Sequence, residues 1–165
     1  MDKAHLKEFV QCTAMLWNEH KKREALYVEA MKKEDLGSLR RVCNQGHISA
    51  LLFQKEIQWV YDYFKCMLND CDLRENPIKT NAVSLDRVED RTLLARLLKD
   101  AEYSTIHCYQ KVLKFLDKDS EEASMMHEHI ARLSDLYEVL AKEVGTRQAW
   151  GGTTSMGGFK RVAAM

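Results

Sequence analysis

The sequence predicts an all-α protein, an antiparallel four-helix bundle with a long crossover between its second and third helices. Three observations predict it. Apolar residues recur at spacings of three and four in four separate stretches, which places them on one face of a helix in each. Two of the breaks between stretches are short turns, so the helices form two hairpins of antiparallel neighbours. The remaining break, Asn69 to Ser84, is long and contains the chain's one proline, Pro77. About 15 extended residues can cross roughly 50 Å, the length of a helix of ~30 residues, so this gap can run from one end of a bundle to the other.

The first helix is expected from about Lys3 to Lys33, on the recurrence of Leu6, Phe9, Thr13, Leu16, His20, Tyr27 and Met31. Glu34-Asp35-Leu36-Gly37-Ser38 then supplies a stop and a start: Gly37 can take a left-handed backbone and Ser38 can cap the next first turn. The second helix, about Leu39 to Leu68, carries Leu39, Val42, Gly46, Ser49, Phe53, Ile57, Val60, Phe64 and Met67 on one side. Its small residues, Gly46 and Ser49, let a neighbouring helix come close. After the crossover, Ser84 or Asp86 can cap a third helix whose stripe runs Val88, Leu94, Leu98, Ala101, Thr105, Cys108, Val112 and Leu116. Ser120 followed by Glu121-Glu122 is a good start for the fourth, because acidic residues favour the positive end of a helix. That helix packs Met126, Ile130, Leu133, Tyr137, Leu140 and Val144. Two hairpins joined by one full-length crossover make the ferritin-like topology. Residues 1–145 are read as the bundle domain. Residues 146–165 are read as a glycine-rich tail where helix does not persist, either a free end or a docking segment using Trp150, Phe159, Lys160 and Arg161.

At 165 residues the chain can bury a core without disulfide or metal staples. Its 25 basic and 25 acidic residues cancel, so nothing draws it generally to nucleic acid or anionic lipid. The N-terminus lacks the apolar core of a signal peptide and no segment is apolar for ~18 residues, so a cytoplasmic chain without a transmembrane segment is expected. Cys12, Cys43, Cys66, Cys71 and Cys108 are scattered without a Cys-x-x-Cys pair and read as reduced, mostly buried thiols, with Cys66 and Cys71 near the crossover as the exposed exceptions.

Bundles that do di-iron chemistry place a Glu on each of two helices and a Glu-x-x-His on each of the other two, since paired irons need bridging carboxylates and imidazole ends. The chain holds only part of such a set. The candidates for a degenerate or mononuclear metal site, with iron as the metal, are His20, Glu24, Glu102 and His129. The second helix adds Glu56 and His47, without a Glu-x-x-His. The plainer reading makes these residues a polar set hydrogen-bonded to Tyr27, Tyr109, Tyr137 or Arg23, with Arg23 the natural partner of a buried Glu102. Cys108 beside His107 is no catalytic dyad, because adjacent residues on a helix point ~100° apart. Trp17, Trp59, Tyr61 and Tyr63 lie partly outside the main stripes, as a second apolar surface does when another copy packs there.

Leu16-Trp17-Asn18-Glu19-His20-Lys21-Lys22-Arg23-Glu24-Ala25-Leu26-Tyr27, followed by Asp35-Leu36-Gly37-Ser38-Leu39, resembles the first hairpin of a bacterial family of ferritin-like four-helix-bundle proteins of unknown function. The stretch Glu102 to Leu113, with its acidic residue and a Tyr seven later, is similar to that family's third helix. The resemblance spans roughly residues 5 to 142 and implies the ferritin-like fold with no established reaction. The incomplete catalytic set and the surplus aromatics make the expected function non-enzymatic, by binding a protein partner or by homo-oligomerisation, in a stress- or envelope-associated process. A carboxylate and histidine protein for iron oxidation or storage, and a helical export chaperone or adaptor whose tail engages a client, are the alternatives.

Overall fold

The computed structural model describes residues 1–73 and 83–151, except for the side chains of 146–151. Pro77 and the middle of the expected crossover lie outside the described residues. Among the described residues there are five helices: α1 (Lys3–Met31), α2 (Leu39–Lys65), the single turn α3 (Asp70–Leu73), α4 (Arg91–Leu113) and α5 (Glu121–Gly151). Among the described residues there is no strand. The third and fourth helices expected from sequence are thus α4 and α5.

Local chemistry fixes most of the ends. The Asp2 carboxylate accepts the His5 N–H at 2.8 Å and caps α1. At the other end, Arg40 donates to the carbonyls of Met31 and Lys33 at 2.7 and 2.8 Å, satisfying acceptors that the end of a helix leaves without partners. Between them Asp35 and Gly37 take left-handed backbones, φ 56° and 55°, and turn the chain so that Leu36 is buried. Gly37 is the expected stop. Ser38 departs from expectation: it makes no cap hydrogen bond and instead donates to Glu143 of α5 at 2.5 Å. The start of α4 also moves. Asp90 accepts the Thr92 N–H at 2.9 Å and caps it, so Ser84, Asp86 and Val88 stay in the connector. Leu85 of that connector is nevertheless buried in the core, with Val88 closing a turn onto its carbonyl. Ser120 does cap α5, accepting the Ala123 N–H at 3.2 Å. The helix then continues six residues past Gly145, to Gly151, where a tail had been expected. Gly145 sits exposed with no neighbour near its missing Cβ, and a lone glycine costs a helix only about 1 kcal/mol, too little to end a 31-residue helix.

Side-chain pairs give the directions. Going up α1 from His20 to Arg23, the partners on α4 go down from Tyr109 to Glu102, so these helices are antiparallel. The same test makes α1 antiparallel to α2, through Phe9 on Phe64 and Arg23 on Ser49. It makes α5 antiparallel to α4, through His129 on Tyr109 and Tyr137 on Lys99. Hence α2 and α4 run the same way, and the chain between them joins opposite ends of the molecule. A guanidinium nitrogen of Arg91, at the start of α4, lies 2.6 Å from where a Cβ on Gly37 would stand, which places that start beside the α1–α2 turn.

The core has two apolar halves. One gathers Leu26, Ala30, Leu39, Val42, Leu94, Leu98 and Leu140 near the α1–α2 turn. The other gathers Phe9, Leu16, Ile57, Val60, Val112, Met126 and Leu133 at the far end. At about 25 cal/mol per Å² of apolar surface removed from water, these two clusters carry most of the stabilisation. Gly46 lies where α1 and α2 come together: a Cβ there would fall 2.1 Å from the Tyr27 ring. Close approach at this position is what the small residue permits.

Candidate functional site

A buried polar layer separates the two apolar halves. Thr13 and Thr105 are buried as well, but each hydroxyl only bonds back to the carbonyl four residues earlier on its own helix. The groups that reach across helices are His20 and Arg23 from α1, Glu102 and Tyr109 from α4, and His129 from α5, joined by the Tyr27 hydroxyl. Arg23 Nε and Nη2 both donate to Glu102 Oε1, at 3.1 and 2.9 Å, and the Tyr27 hydroxyl donates to the same oxygen at 2.5 Å. Nη2 also donates to Ser49 Oγ at 2.9 Å, and the Ser49 hydroxyl donates in turn to the Gly46 carbonyl. Both members of the Arg23–Glu102 ion pair are fully buried. Such a pair stands only where hydrogen bonds offset the cost of removing two charges from water, and this pair has them from Tyr27, Ser49 and His20.

Arg23 also sets the direction of a longer chain of hydrogen bonds. A guanidinium can only donate, so His20 Nδ1, 3.0 Å from Nη1, must accept. The His20 proton is then on Nε2 and goes to the Tyr109 oxygen at 2.6 Å. Tyr109 in turn donates to His129 Nδ1 at 2.7 Å, which leaves the His129 proton on Nε2, facing Glu56 Oε2 at 2.7 Å. Every proton in the row is assigned by this one arginine. The row starts in the dry centre and ends at Glu56, whose side chain is half-exposed on α2.

Electrostatics holds the row in that state. Burial, with Arg23 close by, pushes His20 well below its usual range; burial also lowers His129, opposed by its bond to Glu56. Both imidazoles are kept neutral. Burial raises the Tyr109 hydroxyl, and burial together with the Glu102 charge raises that of Tyr27, so both phenols keep their protons.

Of the four sequence-chosen metal candidates, His20, Glu102 and His129 are in the layer. Glu24 is elsewhere, lining an outer groove with Lys21, Val28, Gln54 and the connector's Val83. As arranged, the donors do not fit a metal ion: all four ring nitrogens are engaged, and a fixed positive charge stands between His20 and Glu102. Glu102 Oε2 is the layer's one buried oxygen without a hydrogen-bond partner among the described residues. No three of His, Cys, Asp or Glu among the described residues gather as ligands. The expected partners Arg23, Tyr27 and Tyr109 are those the structure uses; Tyr137 lies instead beside Tyr103 and Lys99. Glu56, at the open end of the row, was noted on the second helix but not grouped with the four, because its link to His129 is made across two helices 73 residues apart.

The cysteines have no chemistry in this layer. Burial pushes the thiols of Cys43 and Cys108 up to about 11, which keeps them protonated and unreactive at neutral pH. Cys66 and Cys71 are exposed, as their place near the crossover suggested, and all five are free.

A second feature lies outside. The outward face of α2 presents Ile48, Leu52, Trp59 and Tyr63 at 57, 54, 62 and 54% exposure, with Leu51 beside them and Met67 just past the helix. Trp59 and Tyr63 stack on one another at 6.1 Å. Tyr61, by contrast, turns inward, against the half-buried Trp17, so only two of the four singled-out aromatics belong to this face. Alongside it, between α2 and α5, runs a groove of about 410 Å³ lined by Ile48, Leu52, Phe53, Arg132, Asp135 and Leu136. Exposed apolar residues scattered singly are ordinary, whereas these recur along one side of one helix. Of the tail residues expected as a docking segment, Trp150 falls within the last turns of α5, its side chain not described, and Phe159 to Arg161 lie outside the described residues. No helix among the described residues is long and apolar enough to cross a membrane.

Compared with known proteins, the chain matches no family model, no curated protein and no solved structure.

Proposed function

We propose that the chain is a four-helix bundle of ferritin-like connectivity that acts without catalysis, by binding another protein chain on the outer face of α2. The ferritin-like reading is supported by the shared direction of α2 and α4, which requires the connector to join opposite ends. The binding reading is carried by one observation, the apolar row from Ile48 to Tyr63 on a helix whose other face is fully committed to the core. The polar layer supports the same reading from inside. Its donors are spent on one another around Arg23, an arrangement that fixes how α1, α4 and α5 register.

Affinity capture from cells of the source organism tests it, with the natural chain beside Trp59→Asp. The charge lies on the surface, so it leaves the helical circular dichroism intact and removes the captured chain. Equal capture by both forms contradicts the reading. Iron oxidation or storage is the competing function, and titration with ferrous iron followed by metal analysis separates the two: stoichiometric iron retained by the chain would favour the competitor.

A further inference from the structure

We propose that the chain covering α2 is a second copy of this one, docked antiparallel about a two-fold axis that passes between Lys55 and Glu56. The inference rests on α2 being a chain-binding face and names the partner. Positions 48, 52, 55, 59 and 63 recur at intervals of four, three, four and four, so they share one side of the helix, and each is exposed. Lys55 is the one charge in that row, at its middle, and Glu56 stands next to it.

Laying a second α2 antiparallel on the first, with the axis at that midpoint, brings Ile48 to Tyr63, Leu52 to Trp59 and Lys55 to Glu56, each pair occurring twice. Apolar meets apolar along roughly 22 Å of helix on the 1.5 Å rise per residue, and each cation meets an anion. A parallel alignment does the opposite, stacking Lys55 on Lys55 and Glu56 on Glu56. The polar centre of an otherwise apolar seam is the device that fixes register and direction in paired helices. Glu56 is suited to it, because Oε2 is held by His129 while the half-exposed carboxylate keeps Oε1 for an incoming ammonium. Lys55 has no ion-pair partner among the described residues. The chain's net charge of zero adds no long-range repulsion between copies. One helix face per copy is at the small end of stable interfaces, so the dimer is reversible.

Light scattering behind size-exclusion chromatography tests the pairing. The natural chain should move with concentration from 19.2 kDa toward twice that mass. Leu52→Asp should remain a monomer with unchanged helical circular dichroism. Lys55→Glu, which sets two carboxylates face to face at the axis, should raise the dissociation constant about tenfold. Direction is read separately with Gln45→Cys and a short bis-maleimide: in the antiparallel register position 45 lies against the exposed Cys66 of the other copy, and mass spectrometry should find those two peptides joined. A strict monomer, a dimer indifferent to Leu52→Asp, or cross-links joining 66 to 66 would overturn the proposal. If the chain is a monomer and Trp59→Asp still loses a captured partner, the self-pairing is wrong and the binding face stands. If capture is unchanged too, both are wrong.

Discussion

The buried polar layer and the outer face of α2 break opposite rules, and they meet at Glu56. Inside, charged and polar groups sit where apolar ones are usual, yet nearly every atom has a partner. Outside, apolar groups sit where polar ones are usual, and more than half of the surface of Ile48, Leu52, Trp59 and Tyr63 is left exposed. The saturated exception explains itself from within the molecule, because its pairs hold one helix to another. The uncovered exception does not, and so it is the one that points to a partner.

Breaking the interior should have the largest effect. Arg23→Ala leaves the buried Glu102 without its cation, held by the Tyr27 hydroxyl alone, and removes the group that orders the whole row. Denaturant unfolding should show a loss of about 3–5 kcal/mol. Replacing both partners, Arg23→Met with Glu102→Met, should cost much less than the single change, because no charge is then stranded. Next comes Gly46→Ala. Its Cβ would overlap the Tyr27 ring and force α1 and α2 apart, for a loss of about 1–3 kcal/mol in the same measurement.

The pH dependence follows from the neutral imidazoles. Folding holds His20 and His129 below their usual 6.5, so the contribution is fully present above about pH 6.5, where both states carry neutral rings. Below it the unfolded chain takes up protons that the folded chain refuses, and stability falls. For His20, enclosed by Arg23, Tyr109 and the Phe53 ring, the slope should reach about 1.4 kcal/mol per pH unit. Thermal unfolding from pH 7.5 to 5 should show this decline in the natural chain and a shallower one in His20→Gln. The smallest effect on stability belongs to the outer face. Trp59→Ala should alter monomer stability by no more than about 0.5 kcal/mol, since that ring covers no core residue.

Much of the helical architecture was legible because it rests on local signals. The stripes on α1, α2 and α5, the left-handed Gly37, the Ser120 cap and the close approach at Gly46 are each written in a few neighbouring residues. The pairing of Arg23 with Glu102 was legible too, since a buried carboxylate on one stripe needs a cation on another. The start of α4 was not. Ser84, Asp86 and Asp90 are all competent caps, and burial of Leu85 in the core decides for the last. The row through Tyr109 to Glu56 was also hidden, because its links cross between helices at separations of 89, 20 and 73 residues, which no periodicity records. Glu24 shows the same limit from the other side. It is one turn from His20 in sequence, and a rotation of the helix sends it to an outer groove.

The central claim, that the outer face of α2 pairs with another copy while the interior only holds the fold, is tested most directly by urea unfolding at two protein concentrations a hundredfold apart. Association that requires the folded state raises the midpoint with concentration. The account predicts a rise for the natural chain and none for Trp59→Asp, with the two converging at the lower concentration. A midpoint of the natural chain that ignores concentration would contradict it.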